Sequence, residues 1–210
     1  MTRPVITVVD YGVGNVASVA NMLKRAGIDS RLSGDPEVIS TAQKLILPGV
    51  GAFDRAARIL RDTGLKAAIL SASERGAHIL GVCLGMQLLL DGSDEGEGTE
   101  SGLGLIPGRV RRFPAEVEQA GLKVPHMGWN VVNWIGSSPV LPSANTNERY
   151  YFVHSYIADP EDPRDRLAVT RHGVEFTSMV ARENVVGAQF HPEKSRYAGM
   201  SLLAKFSTQE

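Results

Sequence analysis

The sequence is nearly devoid of cysteine, with one, Cys83, in 210 residues. A lone thiol closes no internal disulfide. That excludes a small fold stapled by cross-links and favours a reducing compartment, so a cytoplasmic location is expected. Charge of one sign is equally scarce. Lys and Arg number 22 against 23 Asp and Glu, a formal net charge of -1. This balance leaves no basic footprint for nucleic acid or an anionic membrane. Long apolar runs are missing too, for none approaches the ~18 residues of a membrane helix. Behind Met1-Thr2-Arg3-Pro4, the stretch Val5–Val9 is too short for a signal-peptide core and reads as a first strand. There is no internal repeat and no linker long enough to divide the chain, so one domain over residues 1–210 is expected. What remains is an ordinary globular composition, 43% hydrophobic and 21% charged, in a chain long enough to bury a core.

The first half alternates strand-like and helix-like segments. Val5–Val9, Ile28–Leu32, Lys44–Leu47 and Ala77–Val82 read as strands. Val16–Ala26, Phe53–Leu60, Leu65–Ser73 and Leu84–Leu90 carry helical spacing. Turns of a few residues between them predict a parallel sheet covered on both faces. The second half is richer in strands: Val110–Phe113, Trp129–Trp134, Tyr150–Ile157, Leu167–Thr170, Phe176–Val180 and Val185–Phe190, closed by a helix over Met200–Phe206. The expected class is therefore α/β, with antiparallel additions in the second half. Asp91 to Gly102 holds five acids among glycines and serines. It reads as a solvated loop, and without a histidine it offers no metal site.

Cys83 sits in Leu80-Gly81-Val82-Cys83-Leu84-Gly85-Met86-Gln87, with an apolar strand before it and a helix after it. This G-x-C-x-G pattern is the cysteine counterpart of the nucleophile elbow. A nucleophile on a tight strand-to-helix turn stands clear of the sheet edge, on a strained backbone crowded at the two flanking positions. Glycine at 81 and 85 relieves that crowding. The start of the helix turns free N–H groups toward the sulfur, which favours thiolate and a neighbouring oxyanion. The alternative is a buried cysteine that merely packs, and the paired glycines argue against it.

Of the five histidines, His78 reads as a core or sheet-face residue and His172, beside Gly173, as part of an exposed turn. His191-Pro192-Glu193 is more informative. Proline holds His191 extended, and side chains two apart on an extended chain point the same way. Glu193 can thus reach the Nδ1 side of the His191 ring and leave Nε2 free to exchange a proton. The alternative is a surface turn. No second His or Cys stands at metal-ligand spacing, so no metal site is expected. Gly12-x-Gly14 lacks the third glycine of a dinucleotide fingerprint, since position 17 is Ala, so no cofactor is expected either.

The elbow with Gln87, followed far downstream by His-Pro-Glu, resembles the class I (triad) glutamine amidotransferases, and the resemblance covers nearly the whole chain. It implies a doubly wound, mainly parallel α/β fold and a triad of Cys83, His191 and Glu193. It implies an oxyanion hole from the Gly49-Val50 segment and the backbone of Leu84, and glutamine binding by Gly51, Gln87, Ser155 and Tyr156. Asp10-Tyr11-Gly12-Val13-Gly14-Asn15, Pro48-Gly49-Val50-Gly51-Ala52-Phe53, His126-Met127-Gly128-Trp129-Asn130 and His191-Pro192-Glu193-Lys194-Ser195 look like the glutaminase subunits of imidazole glycerol phosphate synthases. That branch implies a partner, a (β/α)8-barrel cyclase that uses the ammonia, with Asn15, Trp129, Asn130 and Lys194 near the interface. Trp129 suits an ordinary core strand as well. Two other readings stay open: a glutaminase serving another synthase, such as anthranilate synthase, and a catalytically silent regulatory module.

Overall fold

The computed structural model describes residues 4–142 and 148–209, so Met1-Thr2-Arg3 lie outside the described residues. β-Branched apolar runs become strands and 3.6-spaced runs become helices along the first half. They form β1 (Ile6–Val9), α1 (Val16–Arg25), β2 (Ser30–Ser33), α2 (Pro36–Ser40), β3 (Lys44–Gly49), α3 (Phe53–Asp62), α4 (Leu65–Glu74), β4 (His78–Cys83) and α5 (Leu84–Leu88). There follow β5 (Gly92–Ser93), β6 (Gly108–Arg112), α6 (Glu116–Gln119), β7 (His126–Trp134), β8 (Glu148–His154), β9 (Tyr156–Pro160), β10 (Arg166–His172), β11 (Val174–Arg182), β12 (Val185–Ala188) and α7 (Arg196–Thr208).

The sheet runs β2-β1-β3-β4-β12-β11-β10-β7-β8. Pairing is parallel from β2 to β12 and antiparallel beyond. β9 leaves this path to pair with β11 and β6. Side chains alternate across the parallel strands. Leu45, Leu47 and Ile79 pack on one face with α3 and α4. Ile6, Val8, Ile46, Leu80 and Val82 pack on the other with α1 and α7. Each face of the sheet is thus covered by helices, as the alternation in the sequence predicts.

Several elements differ from expectation. β3 continues past Leu47 through Pro48 and Gly49, because β4 lies alongside in parallel register, Pro48 opposite Val82 and Gly49 opposite Cys83. The single strand expected over Tyr150–Ile157 breaks at Ser155, where the chain leaves β7 for β6 and β11. α2 was not foreseen, although Asp35 caps it by accepting the Glu37 N–H at 2.9 Å and Pro36 opens it.

Residues 91–102 are not a free solvated loop. β5 pairs with β6, Glu95 accepts the Phe53 N–H at 2.9 Å, and Glu100 bonds Arg58 at 3.2 Å and Arg61 at 2.6 Å. Complementary charge on α3, together with its positive N-terminal end, docks the acidic segment. Lys44, at the start of β3, is only 2% exposed. Its Nζ donates to the carbonyls of Phe206 at 3.0 Å, Ser207 at 2.8 Å and Gln209 at the end of α7.

Candidate active site

The carboxyl ends of β3, β4 and β12 are neighbours, and ligands of open α/β sheets collect at such edges. Cys83 ends β4 with φ 55 and ψ −109, a left-handed conformation that costs a non-glycine residue energy and is held by its surroundings. Both flanking glycines are required. A Cβ on Gly81 would lie 2.6 Å from the Gly85 carbonyl oxygen, and one on Gly85 would overlap the Leu47 carbonyl. Gly49 is equally confined, with Tyr11 Oη 2.8 Å and Leu84 Cβ 2.9 Å from where its Cβ would stand.

His191 lies three residues beyond the end of β12, the strand next to β4. Its backbone N–H donates to the Tyr151 carbonyl at 2.9 Å. Its own carbonyl accepts the Ser195 hydroxyl at 2.6 Å. Glu193 Oε1 meets His191 Nδ1 at 2.8 Å, and both side chains are 2% exposed. The extended His-Pro-Glu geometry read from the sequence is what forms. Nε2 is buried without a close hydrogen-bonded partner, available for proton transfer. Burial pulls the imidazolium pKa down, but Cys83 and Glu193 outweigh it and raise the pKa to about 9.

A cavity of about 410 Å³ opens onto this pair. Cys83, Leu84, Gln87 and His191 line it, with Val50, Gly51, Ser155 and Tyr156 opposite or beside them. Glu193 stands behind His191, and Gly49 is set back under Tyr11, whose hydroxyl donates to the Pro48 carbonyl at 2.9 Å. Burial, then the charge of Cys83, pushes the Tyr11 phenol far above its ordinary range, so it remains a donor. Val50, 42% exposed, precedes Gly51 at φ +100. Leu84 opens α5, where backbone N–H groups have no partner within the helix.

Sequence reading did not single out Tyr11, Glu95, His154 or Gln189. Glu95 and His154 line the cavity. His154 Nδ1 donates to the Tyr156 carbonyl at 2.8 Å, which leaves its Nε2 as an acceptor for His126 Nδ1–H at 3.1 Å. His126 Nε2 in turn accepts from Asn130 Nδ2 at 3.2 Å. His172 is not merely a turn residue: its ring stacks on His126 with centroids 4.2 Å apart. Gln189, two residues before His191, is fully buried, and its place beside Cys83 comes from strand pairing rather than from a local motif.

The residues assigned to an interface lie apart from the cavity lining. Trp129 is 37% exposed, so it is not a core tryptophan, and the Arg196 guanidinium covers its ring at 5.6 Å. Lys194 Nζ stands 5.7 Å over the Tyr151 ring. Asn15 is exposed and caps α1. Asn130 turns its amide inward, to the Arg171 carbonyl at 2.9 Å and to His126.

Residues 7–209 match the family described as Glutamine amidotransferase class-I. The chain belongs to that family. This amidotransferase is 48% identical over 202 residues to "Imidazole glycerol phosphate synthase subunit HisH" of Geobacillus thermodenitrificans, covering 96% of this chain and 94% of the relative. It is also 48% identical to "Imidazole glycerol phosphate synthase subunit HisH 2" of Pseudomonas aeruginosa, covering 96% of this chain and 98% of that one. Among solved structures, "Structure of PurLQS from Thermotoga maritima" superposes with a TM-score of 0.72 at 19% identity, covering 98% of each chain. A "Crystal structure of glutamine amidotransferase" does so at 0.70 and 20%, covering 95% of this chain and 99% of that one. At such identity these two show the shared fold. Among the described residues no helix is long and apolar enough to cross a membrane.

Proposed function

We propose that the chain is the glutaminase subunit of an imidazole glycerol phosphate synthase in histidine biosynthesis, hydrolysing glutamine and handing the ammonia to a (β/α)8-barrel cyclase. The observation that carries the reading is the meeting, at one cavity, of a strained Cys83 with a His191 held by Glu193 at 2.8 Å. The 48% identity to two HisH subunits supports the choice among synthases.

Cys83 Sγ attacks the side-chain carbonyl carbon of glutamine. The oxyanion forms between the Leu84 N–H and the Gly49-Val50 segment. Loss of one such donor costs about 3 kcal/mol, so the orientation of that segment sets the rate. His191 passes its proton to the departing nitrogen, and ammonia leaves a γ-glutamyl thioester. His191 then takes a proton from water, which attacks the thioester and releases glutamate and the thiolate. Glu193 keeps the imidazole in one tautomer throughout. Gly51, Gln87, Ser155 and Tyr156 hold the substrate from the walls they line. Ammonia passes to the cyclase, which converts the ribulosyl substrate PRFAR to imidazole glycerol phosphate and AICAR.

The test uses the two-subunit complex. Cys83→Ala is expected to abolish glutamine hydrolysis while the complex still cyclises its substrate with added ammonia. Loss of both activities in a folded complex overturns this division of labour.

A further inference from the structure

We propose that Gln189 belongs to the catalytic machinery: its side-chain amide donates a hydrogen bond to Cys83 Sγ and favours the thiolate. The inference rests on the reading of Cys83 as the nucleophile.

Gln189 follows directly on β12, whose Ala188 pairs with Val82 of β4, so it stands beside Cys83 on the adjoining chain. It is 0% exposed. Its Nε2 lies 3.8 Å from Cys83 Sγ, and its Oε1 accepts from Gln87 Nε2 at 3.2 Å. The same Gln87 nitrogen donates to the Tyr156 carbonyl at 3.3 Å.

The polarity of this chain follows from its far end. A backbone carbonyl can only accept, so it demands the NH2 end of Gln87. That NH2 also faces Gln189, which must answer with its oxygen. The NH2 of Gln189 is then left toward the sulfur. With the amide reversed, two NH2 groups would oppose each other, and an oxygen would confront the sulfur lone pairs, both unfavourable in a buried site. One main-chain carbonyl, three links away, thus aims an N–H at the nucleophile. A donor aimed at sulfur stabilises the anion over the thiol. His191 also acts on the sulfur, through side-chain hydrogen bonding and charge that raise its own pKa, and Gln189 adds a second donor from the adjoining chain.

Other groups around the sulfur do not replace it. Tyr11 donates to Pro48, His154 donates to Tyr156, and Glu95, across the cavity, accepts from Phe53. His191 alone among the titratable neighbours carries a proton that Cys83 could share.

The experiment follows iodoacetamide alkylation of the full chain from pH 5 to pH 10. Cys83 is the only cysteine, so the label reports one site. Gln189→Met keeps the length and removes the donor. Gln189→Glu keeps the shape and the acceptor for Gln87 but offers the sulfur no N–H and adds negative charge. The inflection is expected to rise by about one pH unit in Gln189→Met, a tenfold loss of reactivity below it, and further in Gln189→Glu. A purely packing role would raise KM for glutamine and leave the inflection in place. An unchanged inflection in either folded variant overturns the proposal. So does a wild-type inflection at or above the ordinary thiol value of about 8.5, a measurement that needs no variant. Failure of wild-type Cys83 to label, or glutaminase activity surviving in Cys83→Ala, instead brings down the underlying reading of the nucleophile, and this inference with it.

Discussion

At the scale of single residues, the site depends on atoms that are missing as much as on those present. Gly85 has no room for a Cβ against the Leu47 carbonyl. Gly85→Ala is therefore expected to cost about 3 kcal/mol of stability or to block folding, as read by urea denaturation. Glu193→Gln removes the carboxylate that orients His191 and helps raise its pKa to about 9. Glutamine hydrolysis is expected to fall about 100-fold or more. The sign of the pH dependence is fixed by that rise: the imidazolium persists through neutrality and is lost as pH climbs through about 9. Wild-type turnover should decline over that range, and the decline should begin at lower pH in Glu193→Gln. The turn at Cys83 and the His191–Glu193 contact were legible because flanking glycines and a proline leave short, local marks. Gln189 and Glu95 were not, since their roles come from a neighbouring strand and a docked loop, and sequence spacing carries no trace of either.

At the scale of elements, the boundary between β8 and β9 controls one wall of the site. The sequence from Tyr150 to Ile157 is strand-like on either side of His154-Ser155 and carries no glycine or proline to mark a break. The interruption at Ser155 arises because β8 pairs with β7 while β9 pairs with β6 and β11, a competition decided only by tertiary partners. Around it gather His126, His154 and His172 with Phe113, Phe152 and Phe176. Burial, aided by the neighbouring His172, lowers the pKa of His126 to about 4. Burial likewise lowers that of His154 to about 3, against the pull of the Tyr156 carbonyl. In the unfolded chain both would titrate near 6.5, so between about pH 6.5 and 4 the unfolded state binds more protons. Stability is thus complete above about pH 6.5 and declines as pH falls. Unfolding free energies from urea titrations at pH 7 and pH 5 should differ by up to about 2 kcal/mol for each of the two histidines. A flat profile would show that the cluster charges without strain.

At the scale of the whole molecule, the amidotransferase fold was the most legible feature, because the alternation of two hydrophobic periods survives any local error. The docked acidic segment was misjudged because its counter-charges, Arg58 and Arg61, lie on α3, about forty residues earlier in the chain. Trp129 and Tyr151 present two rings under the cations of Arg196 and Lys194, beside the segment that carries His191. A half-exposed tryptophan of this kind suits an interface anchor. Trp129→Ala is expected to weaken assembly with the cyclase at least tenfold by sedimentation or calorimetry, and unchanged assembly would remove it from the interface. The opposite end of the site's scaffold is anchored by a buried cation. The strand that delivers Gly49 begins at Lys44, whose ammonium is clasped by carbonyls of Phe206, Ser207 and Gln209. A chain cut back to Phe206 would exchange this clasp of neutral carbonyls for a single terminal carboxylate, a different geometry around a buried cation. Trimming the end of α7 is therefore expected to shift the root of the strand that delivers Gly49.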